Sequence, residues 1–411
     1  MNINPNFSPS IKVMGIYFLL SSFFYLLSMV LMFFLDFNLD IKDFRLIGWV
    51  HLYMLGFVMM AIFASMAQLG SIVVETKHHN VDVFKYVWVF LVLGLLLMLF
   101  GFFVDISFLI YGGLLVLVAM AIYAVEFLLT LKGARRKTTI TTAMKMSNLF
   151  LIIGIMTGLT MAFAFNGYLD INPHTLLNMH TFGLVVGFVV LLIMGISIIL
   201  IPMFGYSKRV SDDEFKHSFF TLSVGVIVMM LSVFFETKLL QNIAYGITTL
   251  ALVIYFFQLY KMAKSRKKVV HDIWAISMYV GFLSFIVASI IVVSYLFLNH
   301  EILLKVGMWI MLIGFFGFLI IGNFYKIIPF LIWFQIYSPL IEEQQVPMLH
   351  ELLPKKLSNL QWVYSSLGLV ASSMAIMLEN QQLFLGGIVL LSVGGVLFFI
   401  IILKILRTHS K

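Results

Sequence analysis

The sequence predicts an all-α, polytopic membrane protein, on the strength of its composition, the length of its apolar runs and the placing of its positive charges. Of 411 residues, 62% are hydrophobic and 11% charged, too few polar groups to cover a water-soluble globule. Apolar runs of about 20 residues, the length a bilayer core demands, recur between short polar breaks along the whole chain. These runs are apolar on every face. Membrane barrel strands instead alternate polar and apolar over roughly 10 residues, so a β-barrel is excluded.

Twelve helices are expected. The first, near 12–35, follows the polar stretch MNINPNFSPSIK, is full length and has no short-residue cleavage pattern behind it, so it reads as a retained anchor and not a cleaved signal. Runs near 47–74, 86–104 and 106–131 come next, and the last of them ends in KGARRK. A second set, near 146–166, 176–204, 218–235 and 240–260, ends in KMAKSRKK. The final set, near 273–298, 305–334, 360–378 and 384–404, ends in KILRTHSK.

Positive charge orders these helices. Lys132, Arg135, Arg136, Lys137, Lys145, Lys208, Arg209, Lys216, Lys261, Lys264, Arg266, Lys267 and Lys268 follow even-numbered helices. With Lys12, Lys77, Lys85, Lys326, Lys355, Lys356, Lys404, Arg407 and Lys411 they make 22 of the 26 basic residues on one side. Only Lys42, Arg45, Lys238 and Lys305 fall on the other. The positive-inside rule then puts both termini in the cytoplasm, and the expected location is a bacterial cytoplasmic (inner) membrane. Topology accounts for the basic pI near 9.4, so no nucleic-acid partner is called for; the partner expected from composition is the lipid bilayer. Cysteine is absent, which removes disulfides, thiolate metal sites and thiol nucleophiles.

An internal repeat runs through the chain. GFVMMAIFASMAQLGS starts at Gly56, GFVVLLIMGISIILIP at Gly187 and GFFGFLIIGNFYKIIP at Gly314. Six residues on stand Ile62, Ile193 and Ile320; eight on, Ala64, Gly195 and Gly322; fifteen on, Ser71, Pro202 and Pro329. The spacing, close to a third of the chain, predicts one membrane domain over 1–411 built of three four-helix units, about 1–137, 138–268 and 269–411, with helices 2, 6 and 10 equivalent. Small residues eight apart fall near one helix face and let helices approach closely in lipid, so the glycines alone carry a packing explanation as readily as a functional one.

Seven of the ten histidines, His78, His79, His217, His271, His300, His350 and His409, lie in breaks or at helix edges, where solvation is the expected state. His51, His174 and His180 remain. His51 stands five residues before Gly56, His180 seven before Gly187, and His174 lies in the loop NPH ahead of it. Ionisable groups within a membrane are costly and mark sites, and neutral imidazole is a ligand for copper, other metals and haem iron. Positions five and seven before the glycine differ by about 200° of helix rotation. On equivalent helices of neighbouring units they are expected to look into one crevice, with His174 as a further metal ligand; two unrelated, backbone-bonded histidines are the alternative. Carboxylates are scarce in the apolar runs: Glu126 is expected to snorkel and pair with lysine, as is Lys326 to snorkel, while Asn323, Gln68 and Ser197 are expected to bridge helices.

With HLYMLGFV at 51–58, a histidine ahead of GISIILIPMF, and YKIIPFLIW at 325–333, the chain resembles the subunit I superfamily of haem-copper oxidases, such as cytochrome c oxidase subunit I. More narrowly it is similar to orphan subunit-I-like bacterial membrane proteins, and it is reminiscent of the haem- and copper-containing NnrS-like proteins of the nitric-oxide response. The resemblance covers essentially the whole chain. It implies pseudo-three-fold architecture, haem and/or copper bound through His51 and His180, a redox partner protein, and electron transfer or nitric oxide or oxygen chemistry. An oxidase of this kind joins helices 2 and 10 through a bis-histidine haem and carries a histidine pair in helix 7. Here Trp309 and Gly307 stand where the helix 10 ligands fall, and Trp49 replaces the second helix 2 histidine of the NnrS-like pattern. Helix 7 has only His217, at its edge. A complete terminal oxidase is therefore not expected; an enzyme here would be an oxidoreductase of another kind. A non-catalytic assembly or partner subunit, or a transporter on the same fold, are the alternatives.

Overall fold

The structure is a computed structural model that describes residues 9–36, 39–134, 137–235, 237–268 and 270–409. Arg135, Arg136 and Lys411 of the positive-charge pattern, and most of the N-terminal polar stretch, lie outside the described residues. Among the described residues the chain is helical, without strands. In order come α1 (Ile11–Leu31), α2 (Phe44–His51), α3 (Met60–Val74), α4 (Val87–Phe103), α5 (Phe108–Lys132), α6 (Thr139–Phe165), α7 (Pro173–Phe182), α8 (Leu191–Gly205) and α9 (Asp212–Phe235). They are followed by α10 (Lys238–Lys264), α11 (Ile273–Leu298), α12 (Glu301–Trp309), α13 (Phe318–Ile332), α14 (Lys355–Met377) and α15 (Gln381–His409).

Among the described residues, eleven helices are long and apolar enough to cross a membrane, so this is a multi-pass membrane protein. Where the apolar runs predict twelve spans, the third is the shorter apolar helix α4, 17 residues long. At 1.5 Å per residue it reaches about 25 Å, less than a bilayer core of about 30 Å.

Three spans are interrupted by a wider π turn of eight residues: π1 (Leu52–Met59) between α2 and α3, π2 (Gly183–Val190) between α7 and α8, and π3 (Ile310–Gly317) between α12 and α13. They begin 131 and 127 residues apart, and each holds its repeat glycine, Gly56, Gly187 or Gly314, at its fifth position. The glycine has a steric reason. A Cβ there would sit 2.6 Å from Phe24 Cγ, 2.9 Å from Phe150 Cγ or 2.5 Å from Ser284 Oγ, each on the long helix ahead of its π span in the chain. Pro202 and Pro329 do not break their helices: α8 and α13 run three residues past them. A spanning helix tolerates the lost hydrogen bond when its neighbours supply other partners.

The described chain divides into two compact units, Gln68–Val270 and Pro9–Ala67 with His271–Lys411. In the first, α4 and α5 meet backbone to backbone, since a Cβ at Gly112 would lie 2.6 Å from Met98 N. Ser197 Oγ and Tyr255 Oη lie 2.6 Å apart and bridge α8 to α10. In the second, Ser21 Oγ donates to Phe57 O at 2.9 Å, tying α1 to π1. Trp274 Nε1 donates to Asn323 Oδ1 at 3.3 Å, tying α11 to α13. Lys326 closes an ion pair of 2.5 Å with Asp272, whose other oxygen caps α11 through Ala275 N.

Candidate functional site

In the unit that holds His51, the place where α2 and α12 meet is filled by aromatic rings. Trp49 sits two residues before His51, about 200° round the helix. Its indole stacks on that of Trp309 with centroids 5.5 Å apart and planes 21° from parallel. It also stacks on Tyr53 at 5.7 Å and 28°. Trp49 and Trp309 are 2% and 5% exposed and Tyr53 is fully buried.

Each polar atom of this stack is spoken for. Trp49 Nε1 donates to Ser28 O at 2.7 Å, Trp309 Nε1 donates to Ser372 Oγ at 2.8 Å, and Tyr53 Oη donates to Leu312 O at 2.7 Å. Leu312 lies in π3, so a carbonyl of the wide turn accepts a tyrosine hydroxyl. Buried indole and phenol groups need such partners, and here they also fix the ring planes.

His51 is half-buried, and its Nδ1 lies 2.8 Å from Ile47 O, one turn back on its own helix. In the other unit, His180 Nδ1 lies 2.8 Å from Gly154 O on α6. The ring rests against Gly158, where a Cβ would come within 2.5 Å of His180 Cε1. A carbonyl only accepts, so both imidazoles carry a proton on Nδ1, and in the neutral ring Nε2 holds the lone pair. That is the arrangement in which a carbonyl orients a ligand histidine. His174 is exposed, beside the edge of Phe165 at 5.9 Å, and its backbone N–H is capped by Asn172 Oδ1 at 3.0 Å.

The haem or copper expected through His51 and His180 is a different site from the bis-histidine haem of the oxidase pattern, whose helix 10 ligands are replaced here by Trp309 and Gly307. A haem joining the second and tenth spans needs an imidazole from each and a slot between them. The helix 10 position holds Trp309, which lies directly on Trp49 with its N–H satisfied, so the residues present do not fit a haem there. Copper calls for several nitrogen or oxygen donors in one place. Among the described residues, no three of His, Asp and Glu gather closely enough to hold a metal ion.

Two buried polar residues depart from their expected roles. Glu126 is 3% exposed and its carboxylate meets His78 at 2.9 Å instead of reaching lysine. His78, expected to be solvated, is buried with it. No spacing rule joins a loop histidine to a helix residue 48 positions later; the only hint is a carboxylate within an apolar run.

Neither the protein-family profiles nor the curated proteins compared with the chain match it.

Proposed function

We propose that this protein is a non-catalytic partner or assembly subunit on a haem-copper oxidase subunit I-like scaffold, with protein side chains in the place of the haem between spans 2 and 10. The carrying observation is the Trp49–Trp309 stack at 5.5 Å, closed by Tyr53 and by the two indole hydrogen bonds. A stack of this kind holds helices together and has no open coordination position. Such a subunit acts through its surface and its partners in the bilayer.

A second reading has its own support. The Nδ1 contacts of His51 and His180 with carbonyls present Nε2 as the ligand nitrogen of each, which favours a haem- or copper-binding protein in electron transfer or nitric oxide or oxygen chemistry. Complementation separates the two. A chain carrying His51→Ala and His180→Ala, produced at wild-type abundance, restores a deletion strain fully under the first reading. Loss of restoration at equal abundance overturns it in favour of the second.

A further inference from the structure

The end of α5 that carries Lys132 holds a buried polar cluster that none of these functions uses. Glu126 Oε1 is approached by His78 Nδ1 at 2.9 Å, Thr130 Oγ1 at 2.8 Å and Asn80 N at 3.5 Å. Thr130 Oγ1 in turn accepts from His79 N at 3.0 Å. Glu126 Oε2 is equally buried and takes no hydrogen bond from the protein. The His78 ring is wholly enclosed and stands edge-on to Phe84 at 5.5 Å. The segment between α3 and the short 3₁₀ turn Val81–Lys85 is thus pinned to α5 through Glu126 and Thr130.

Other ionisable groups are near. Tyr123 lies one turn earlier on α5, its ring stacked on Phe127 at 5.7 Å. Lys77 and His79 of the pinned segment are exposed, and Asp82 and Lys85 of the 3₁₀ turn close on each other at 2.7 Å, both largely in solvent. None of these replaces His78 as the partner of the carboxylate.

A carboxylate inside an apolar span is costly unless it is paired or neutral. With one proton between them, Glu126 and His78 form a net-neutral pair, and the charge-assisted hydrogen bond is strong. A second proton goes to the carboxylate oxygen that lacks a donor. The acid then no longer balances the imidazolium, and a net positive charge is left enclosed among apolar groups. Swinging the His78 segment out to water relieves that charge.

We propose that Glu126 and His78 form a buried proton-binding site that latches residues 75–80 to α5, holding them with one shared proton and releasing them when Glu126 Oε2 takes a second. The site stands independently of the proposal for the aromatic stack, because its residues and its readout are separate.

The chain has no cysteine, so a spin label at Lys77→Cys reports on this segment alone. In the full-length protein in liposomes, the label should pass from ordered to mobile as pH falls from 8 to 4. A protonated-carboxyl infrared band should appear over the same range. In Glu126→Gln, and separately in His78→Asn, each checked for helix content and monodispersity, the label should be mobile at every pH and the step lost. A flat wild-type titration, or a step that survives in either variant, overturns the proposal.

Discussion

At the scale of single residues, the position of one ring decides between two kinds of chemistry. An imidazole at position 309 would offer a ligand nitrogen, whereas the indole there donates to Ser372 and lies flat against Trp49. Trp49→Ala should therefore act as a core truncation. It removes a buried ring and leaves Trp309 without its stacking partner, at a cost of about 3–5 kcal/mol. Unfolding in detergent measures this. A loss below about 1 kcal/mol would mean that the stack is not holding α2 and α12 together. His180 belongs to the same scale, because its ring lies where a side chain at position 158 would stand. Gly158→Val should displace the ring from the Gly154 carbonyl and cost roughly 1–3 kcal/mol by overpacking. Nuclear magnetic resonance of the His180 ring nitrogens checks the displacement; an unmoved Nδ1–H resonance contradicts it.

At the scale of elements, the π turns explain why the repeat is written in glycines. Each wide turn brings a neighbouring side chain within 2.5 to 2.9 Å of where a Cβ would stand. Gly56→Ala should destabilise by about 1–3 kcal/mol, and Phe24→Leu in the same chain should recover part of that loss. Strict additivity of the two changes contradicts direct contact. Helix ends follow different rules from helix interiors. Asp43 caps α2 by accepting from Arg45 N at 2.8 Å, and the Arg45 guanidinium holds its carboxyl below the usual carboxylate range. Its folded-state value lies below the unfolded one, so the contribution of the cap is complete at neutral pH and is lost as pH falls through that lowered value. Asp43→Ala should cost about 1 kcal/mol at neutral pH, and the difference from wild type should shrink in acid. A difference that grows in acid would refute the assignment. Hydropathy located the spans but not these ends. The expected run 146–166 begins at Thr139, because Thr138 and Thr141 close a capping box that apolar content does not register. The expected run 218–235 begins at Asp212 for a similar reason, with three acidic residues in its first turn.

At the scale of the whole molecule, the helical, membrane-spanning class was legible because apolar length is a property of contiguous residues. The candidate site was legible only in part. His51 and His180 stand out as titratable groups in oily runs, and Trp49 and Trp309 stand out as departures from a resemblance. That the two indoles touch depends on packing across 260 positions of sequence, which no local pattern encodes. The same limit hid the His78–Glu126 pair. Haem and copper content distinguish a junction of α2 and α12 filled by side chains from one filled by a cofactor. An optical spectrum of the purified full-length protein, expressed with haem supplied and paired with copper analysis, measures both. The expected result is no Soret absorbance and no stoichiometric copper, with the same result for Trp309→Ala. A Soret band at one haem per chain, lost in His51→Ala, would contradict it.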